Sequence, residues 1–135
     1  MATYNKINIF IADINNKVHN LGSDQLTIAL TDSVPSAGNT ILANISEIDY
    51  TNLSTRDITT VSSTQTGGTY KLVIQPLTLT ASGSVSQFRY IVVYNNTSAS
   101  DSLICWFDYG AEVNMNTGDT FAITFDVTNG LLQIQ

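Results

Sequence analysis

This chain is poor in charge, and it contains one cysteine and one histidine. Only 12% of its 135 residues are charged, whereas an average soluble domain carries roughly 25%. Ser, Thr and Asn fill the polar positions instead, and these side chains cost less to desolvate than Lys or Glu. Because the centres of protein interfaces are depleted in charge, this composition favours a surface that contacts other proteins.

The scarcity of cysteine and histidine limits the possible chemistry. Cys105 lies in the apolar run 103–107 without a basic neighbour, which predicts a buried, reduced thiol. His19 is the only imidazole base available to a hydrolase, and no Gly-x-Ser-x-Gly motif accompanies it. Its neighbours Asn20, Ser23 and Asp24 are turn residues, so we expect a structural role for His19. The sequence predicts no catalytic residue, no cofactor and no metal site.

The charge distribution excludes two classes of partner. The net charge is -6, and the basic residues are scattered along the chain, at Lys6, Lys17, Arg56, Lys71 and Arg89. Nucleic-acid binding needs a basic stripe that replaces phosphate counterions, and an anionic membrane attracts the same feature. No run approaches the roughly 18 apolar residues of a membrane span, and the first apolar segment is a poor signal-peptide core. We expect no nucleic acid, no membrane and synthesis in a cytoplasm.

Carboxylates and aromatic side chains leave two further hypotheses open. Glu47 with Asp49, or Asp108 with Glu112, could do acid and base work on glycosides. Eleven acidic residues produce such spacings by chance, so a solvated face is the simpler interpretation. Trp106 and the six tyrosines could stack on a sugar, although aromatic residues on strands more often belong to a core or an interface.

The amino-terminal segment shows an apolar stripe at helical spacing, formed by Ile7, Phe10, Ile11, Ile14 and Val18. This spacing predicts a short amphipathic helix, but three Asn residues lower its intrinsic helicity. The helix must therefore pack on its own sheet or on a neighbouring subunit. We expect residues 1–20 to form an N-terminal arm or short helix on this basis.

The rest of the chain, residues 21–135, reads as short strands separated by turn signals, and we expect it to be a single β-sandwich domain. Residues 26–30 alternate as in a strand buried on one face, and residues 85–94 are apolar enough for a central strand. A helical turn fits residues 40–50, Pro76 predicts a strand end, and Asn129-Gly130 predicts a hairpin. The predicted fold is mainly β, an antiparallel β-sandwich or a jelly-roll-like domain.

Several segments carry a resemblance to a known family. They are Tyr4-Asn5-Lys6, residues 19–24 with 26–31, Glu47-Ile48-Asp49-Tyr50, residues 88–95, Gly118-Asp119-Thr120-Phe121 and Asn129-Gly130. On these segments the chain resembles a family of small structural proteins of tailed bacteriophages, and the resemblance extends over most of its length. The segments are fold markers, so the resemblance implies a virion component without transferring any functional residue.

Among virion components we favour a capsid decoration (cement) protein that stabilises the head, because a protein repeated on a symmetric lattice needs low-charge faces for its neighbours. Its partner is then the major capsid protein, its location is the capsid surface of the virion, and it self-associates, with a trimer favoured. The candidate interface residues lie on the amino-terminal segment and are Tyr4, Ile7, Phe10, Ile11 and Ile14. The alternatives are a tail, baseplate or fibre component, or a glycan-binding adhesion module.

Overall fold

The computed structural model describes residues 2–135 and has a mainly β architecture. Strands account for 49% of the chain and helix for 7%, which confirms the fold class predicted from the sequence. One short helix, α1, spans Phe10–Asn15. The strands, in chain order, are β1 (Thr3–Lys6), β2 (Leu26–Thr31), β3 (Asp57–Ile58), β4 (Thr60–Thr66), β5 (Thr69–Ile74), β6 (Leu77–Thr80), β7 (Val85–Asn95), β8 (Ser102–Met115), β9 (Thr120–Ile123) and β10 (Leu132–Ile134).

The strands form three antiparallel sheets. The largest has the order β1-β8-β7-β2-β3, the second has the order β10-β5-β4, and β6 pairs with β9. Apolar side chains from all three sheets meet in one hydrophobic core, to which Leu30, Leu72, Leu79 and Ile104 contribute fully buried side chains. The result is a sandwich-like arrangement in which the three sheets share this core.

The middle of the large sheet confirms one strand prediction and corrects another. β7 lies between β8 and β2, as its nearly continuous apolar sequence predicts for a central strand. β2 was expected to be buried on one face, but all six of its residues are buried. The hydroxyl of Thr27 donates to Asp57 Oδ1 at 2.9 Å, so this polar side chain is satisfied inside the protein. Alternation in the sequence thus reflected two covered faces, one apolar and one of small residues.

The amino-terminal segment contains a strand before its helix, unlike the single helix that the sequence predicts. The strand is β1, which pairs with β8 from Thr3↔Asp108 to Lys6↔Cys105. The helix then occupies only Phe10–Asn15, without a side-chain cap, and the chain turns at Lys17 with a φ of 63°. Ile7 and Val18 therefore lie outside the helix that their spacing predicted. Because β1 is hydrogen-bonded to β8, this segment packs on its own domain.

The carboxyl-terminal hairpin prediction is wrong. β9 pairs with β6, whereas β10 pairs with β5, so the strands on either side of Asn129-Gly130 belong to different sheets. Gly130 does turn the chain, with a φ of 79°. The carboxylate of Asp126 accepts the backbone N–H groups of Thr128 and Asn129 at 2.8 and 2.9 Å, and these bonds fix the turn. The local signal identified the turn but not the partners of its strands.

Other turn signals are confirmed. Pro76 lies between the end of β5 and the start of β6. Gly67 and Gly68, with φ values of 60° and 85°, form the two-residue turn between β4 and β5. The helical turn predicted within residues 40–50 is a single 3-10 turn at Leu42–Asn44.

Candidate functional site

The structure divides the predicted interface residues between the core and the surface. Ile7 is fully buried and Phe10 is 5% exposed, so both stabilise the domain itself. Tyr4 and Ile11 are 42% and 53% exposed, whereas Ile14 is half-buried against the core. The five side chains therefore do not form one continuous docking surface.

An apolar cleft lined by aromatic rings, the aromatic cleft, has a volume of about 580 Å³ and lies beside β8 and β9. Its walls come from β7, β8, β9, the segment after β9 and the amino terminus, and are formed by Ala2, Ile91, Phe107, Tyr109, Phe121, Ala122, Ile123, Thr124, Phe125 and Asp126. Sequence reasoning missed this cleft because its residues come from distant parts of the chain. The aromatic spacing in β8 was the one local signal for it.

Edge-to-face contacts organise the rings in and around the aromatic cleft. The ring centroids of Tyr109 and Phe121 are 5.1 Å apart, and those of Phe107 and Phe125 are 6.4 Å apart. Tyr4 packs against Phe107 from outside, with a centroid distance of 5.5 Å. Each arrangement is the T-shaped geometry that aromatic pairs prefer. Rings held by one another in this way offer a preorganised apolar surface at little entropic cost on binding.

The aromatic cleft offers few free polar groups. Its only acidic side chain, Asp126, accepts hydrogen bonds from Thr128 N, Asn129 N and Asn129 Nδ2. These bonds lower the pKa of Asp126 below its ordinary value and leave the carboxylate committed to its own turn. A sugar site normally combines aromatic faces with several convergent hydrogen-bonding groups. The aromatic cleft instead suits an apolar protein surface.

A second opening, of about 570 Å³, lies beside His19. The neighbouring Asn95 accepts the backbone N–H groups of Thr97 and Ser98 at its Oδ1, which fixes the orientation of its amide. Its Nδ2 then donates to Asp24 Oδ2 at 2.6 Å and lies 3.0 Å from His19 Nδ1. The Asn95 amide has two N–H groups, and the one that does not bond to Asp24 points to His19 Nδ1. His19 Nδ1 therefore accepts a hydrogen bond, so the neutral ring carries its own proton on Nε2.

This tautomer differs from that of a hydrolytic triad, in which Nδ1–H donates to a carboxylate and Nε2 accepts from the nucleophile. His19 Nε2 has no hydrogen-bond partner within residues 2–135, and the nearest carboxylate oxygen, on Asp13, is 3.9 Å away. The Ser63 and Tyr70 hydroxyls of this opening bond to each other at 2.8 Å. His19 forms no hydrogen bond to a hydroxyl that it might activate.

Three of the four paired carboxylates form local hydrogen bonds, and the fourth, Glu112, is exposed on β8. Glu47 Oε1 accepts the hydroxyl of Tyr50 at 2.8 Å, and Asp49 bonds to the backbone and hydroxyl of Thr51. Asp108 receives two hydrogen bonds from Arg89, which lower the pKa of its carboxyl. No group of three His, Cys, Asp or Glu side chains suited to a metal ion occurs in the described part of the chain.

Cys105 and Trp106 lie on consecutive positions of β8 but in different surroundings. Cys105 is fully buried, as predicted, and burial raises the pKa of its thiol. Trp106 is half-buried and packs edge-on against Tyr90, with ring centroids 5.9 Å apart. Its Nε1 is buried without a hydrogen-bond partner in the region described, so the indole does not present its polar edge to solvent. This orientation weakens the case for a sugar-stacking platform at Trp106.

Comparisons with known proteins give no family assignment. No protein-family model, no curated protein and no solved structure matches this chain. Among residues 2–135, no helix has the length and apolar character needed to cross a membrane.

Proposed function

We propose that this protein is a non-enzymatic structural component of a tailed-phage particle, a capsid decoration protein that binds the major capsid protein on the outer surface of the head. The observation that carries the proposal is the aromatic cleft, whose rings are preorganised and whose acidic side chain is occupied by its own turn. The resemblance to phage structural proteins supplies the partner. A low-charge surface supports repeated contact with a protein lattice, where many weak contacts add up.

Tyr109 and Tyr4 are the best candidates for contact residues. Tyr109 is 46% exposed at the mouth of the aromatic cleft, and Tyr4 lies beside it on the edge strand β1. Partly exposed tyrosines form favourable interface anchors because they bury a large apolar area with few rotatable bonds. Ile11 is a separate exposed apolar residue on α1. Ile7 and Phe10 act in the core instead.

Cosedimentation with undecorated phage heads tests the proposal. The wild-type protein is expected to pellet with the heads, and Tyr109→Ser is expected to weaken binding at least about tenfold, the equivalent of about 1.4 kcal/mol. Val34→Ser is the matched control because Val34 is exposed but lies outside the cleft. No binding by the folded wild-type protein, or equal binding by Tyr109→Ser, contradicts the proposal. Point variants are used because a deletion of residues 2–18 would also remove Ile7 and Phe10 from the core.

The two alternative functions have different signatures. A tail, baseplate or fibre component places labelled protein on the tail of the particle, away from the head. A glycan-binding module gives signals on a glycan array that Trp106→Ala abolishes without unfolding the domain. The committed carboxylate of Asp126 and the shielded indole N–H of Trp106 both favour the protein-binding function over this last alternative.

A further inference from the structure

The edge strand β4 differs from the other sheet edges of this domain. It has seven residues, whereas the remaining edge strands, β1, β3, β6, β9 and β10, have two to four. Exposed edges normally carry charges, prolines or blocking groups that prevent pairing with another chain. On β1, Lys6 and a hydrogen bond from Asn5 Nδ2 to the carbonyl oxygen of Thr3 serve this purpose. Thr60–Thr66 contains neither a charged residue nor a proline, and its register shift, between Thr60 and Ser62, leaves residues 62–66 as a regular open edge.

The register of the hairpin shows which backbone groups of β4 are free. Thr66 pairs with Thr69 across a two-residue turn, so these two residues form a hydrogen-bonded pair. Such pairs alternate along an antiparallel ladder, which places the next ones at Thr64 and Ser62. The N–H and C=O groups of Ser63 and Gln65 therefore point away from β5. In the described residues, no backbone hydrogen bond joins Ser63 or Gln65 to another element.

We propose that β4 pairs antiparallel with β4 of a second copy of this chain, across a two-fold axis at Ser63. The outward N–H and C=O groups of Ser63 then bond to those of the partner copy. The pairing joins two three-stranded sheets into one of six strands, a recurrent mode of recognition between sheet edges. A two-fold contact of this kind is isologous, so each copy contributes the same strand.

The side-chain pattern of β4 favours a second copy. Each chain carries a net charge of -6, which opposes association elsewhere on the surface, but β4 has no charged residue and so adds no local repulsion to the pairing. Centred on Ser63, the pairing places Ser62 of each copy opposite Thr64 of the other, within the regular part of the strand. Cross-strand hydroxyl pairs of this type stabilise antiparallel sheets. Val61, which is 57% exposed, then lies opposite Gln65 and loses contact with water.

One strand pair is a small interface, since stable complexes bury about 1,600 Å² in total. The dimer is therefore expected to depend on concentration. This inference does not require the proposed capsid function, because purified protein alone tests it and cosedimentation with heads does not. It also defines a two-fold contact, distinct from the trimer that the phage resemblance implies.

Sedimentation equilibrium over about 1–300 µM gives the first test, together with a pair of variants. Ser63→Pro removes the outward N–H, and proline is tolerated on edge strands. Ser63→Ala is the matched control, because it loses the same hydroxyl contact with Tyr70 but keeps the N–H. Wild type and Ser63→Ala are expected to dimerise, while Ser63→Pro raises the dissociation constant at least about tenfold.

Hydrogen exchange of the wild-type protein provides a test that does not depend on a variant folding. The amides of Ser63 and Gln65 are expected to exchange more slowly as concentration rises, while the Thr64 amide, which bonds to Lys71 of its own chain, does not change. A monomer at every concentration overturns the proposal. So does a folded Ser63→Pro variant that dimerises like Ser63→Ala, or a dimer that protects other amides and leaves these two unprotected.

Discussion

The two halves of β8 lie in opposite environments. Residues 102–105 are buried, whereas residues 109–112 are exposed, and Tyr109 borders the aromatic cleft. The first half is flanked by β7 throughout and by β1 from Cys105 onward, and other elements cover its faces. The second half extends beyond Thr3, the first residue of β1, and the side chain of Tyr109 is exposed there. Apolar residues of one strand thus stabilise the domain at one end and offer a contact surface at the other.

Truncation in the buried half is expected to have the largest effect. Leu103 is fully buried, so Leu103→Ala loses transfer free energy and leaves a cavity. The free energy of unfolding is expected to fall by about 2–5 kcal/mol. Urea denaturation followed by tryptophan fluorescence measures this change. A loss below about 1 kcal/mol contradicts the assignment of this half of β8 to the core.

Two glycines separate a steric effect from a backbone effect. Gly130 has a φ of 79°, and a Cβ there lies 2.4 Å from the carbonyl oxygen of Leu72. Gly110, within the exposed half of β8, has a φ of 92° and open space around it. Gly130→Ala is expected to cost about 3 kcal/mol and Gly110→Ala about 1 kcal/mol, since only the first adds a clash to the backbone strain. Thermal unfolding of both variants measures the two losses of stability. If the losses are equal, the added Cβ at Gly130 causes no steric clash beyond the backbone strain.

Stability is also expected to depend on pH through the buried end of the large sheet, where His19 contacts Asn95 of β7. Burial lowers the pKa of His19 below its ordinary value of 6.5, although Asp13 and Asp24 oppose this shift. The unfolded chain therefore binds a proton more readily than the folded one, and the stabilisation present above pH 6.5 is lost as the pH falls below it. Protonation of His19 at Nδ1 also places an N–H donor opposite the N–H donor of Asn95 Nδ2, which removes the hydrogen bond between them.

Urea midpoints between about pH 7.5 and 5.5 check this direction. The wild-type protein is expected to lose stability across the range, and His19→Gln, which does not titrate there, is expected to show a flatter dependence. Both proteins retain Asp13 and Asp24, so the comparison isolates the imidazole. Identical slopes argue against a titrating role for His19.

The smallest effect on stability is expected in the exposed half of β8. Tyr109→Ser removes one edge contact with Phe121 and is expected to lower the free energy of unfolding by only about 0.5–1.5 kcal/mol. The same variant is expected to impair head binding, so a stability loss as large as that of Leu103→Ala places Tyr109 in the core rather than on a contact surface. Chemical denaturation run in parallel for the two variants makes the comparison direct.

Elements with strong local patterns were predicted well from the sequence. The apolar run 85–94 identified the central strand β7, and Pro76 identified the break between β5 and β6. The apolar run around Cys105 identified a buried strand, because consecutive apolar residues on a strand alternate between its two faces and are all buried only when both faces are covered. These features depend on near neighbours in the chain, and the sequence contains them directly.

The candidate site was harder to predict. Helical spacing grouped Ile7, Phe10, Ile11 and Ile14, but pairing of β1 with β8 assigned Ile7 and Phe10 to the core and left Ile11 exposed. In the aromatic cleft, Phe107 of β8 contacts Phe125, which follows eighteen positions later in the chain. Helical or strand periodicity does not predict a contact over such a separation. Asn129-Gly130 likewise predicted a turn correctly and the strand partners wrongly.

The sequence by itself determined a mainly β domain with little charge, a buried thiol and the positions of its main turns, because composition, alternation and turn chemistry act over a few residues. Only the tertiary structure decided which strands pair, which apolar side chains face water and which edge stays open. These outcomes depend on contacts between distant segments, where burial of one surface is set by whatever element covers it.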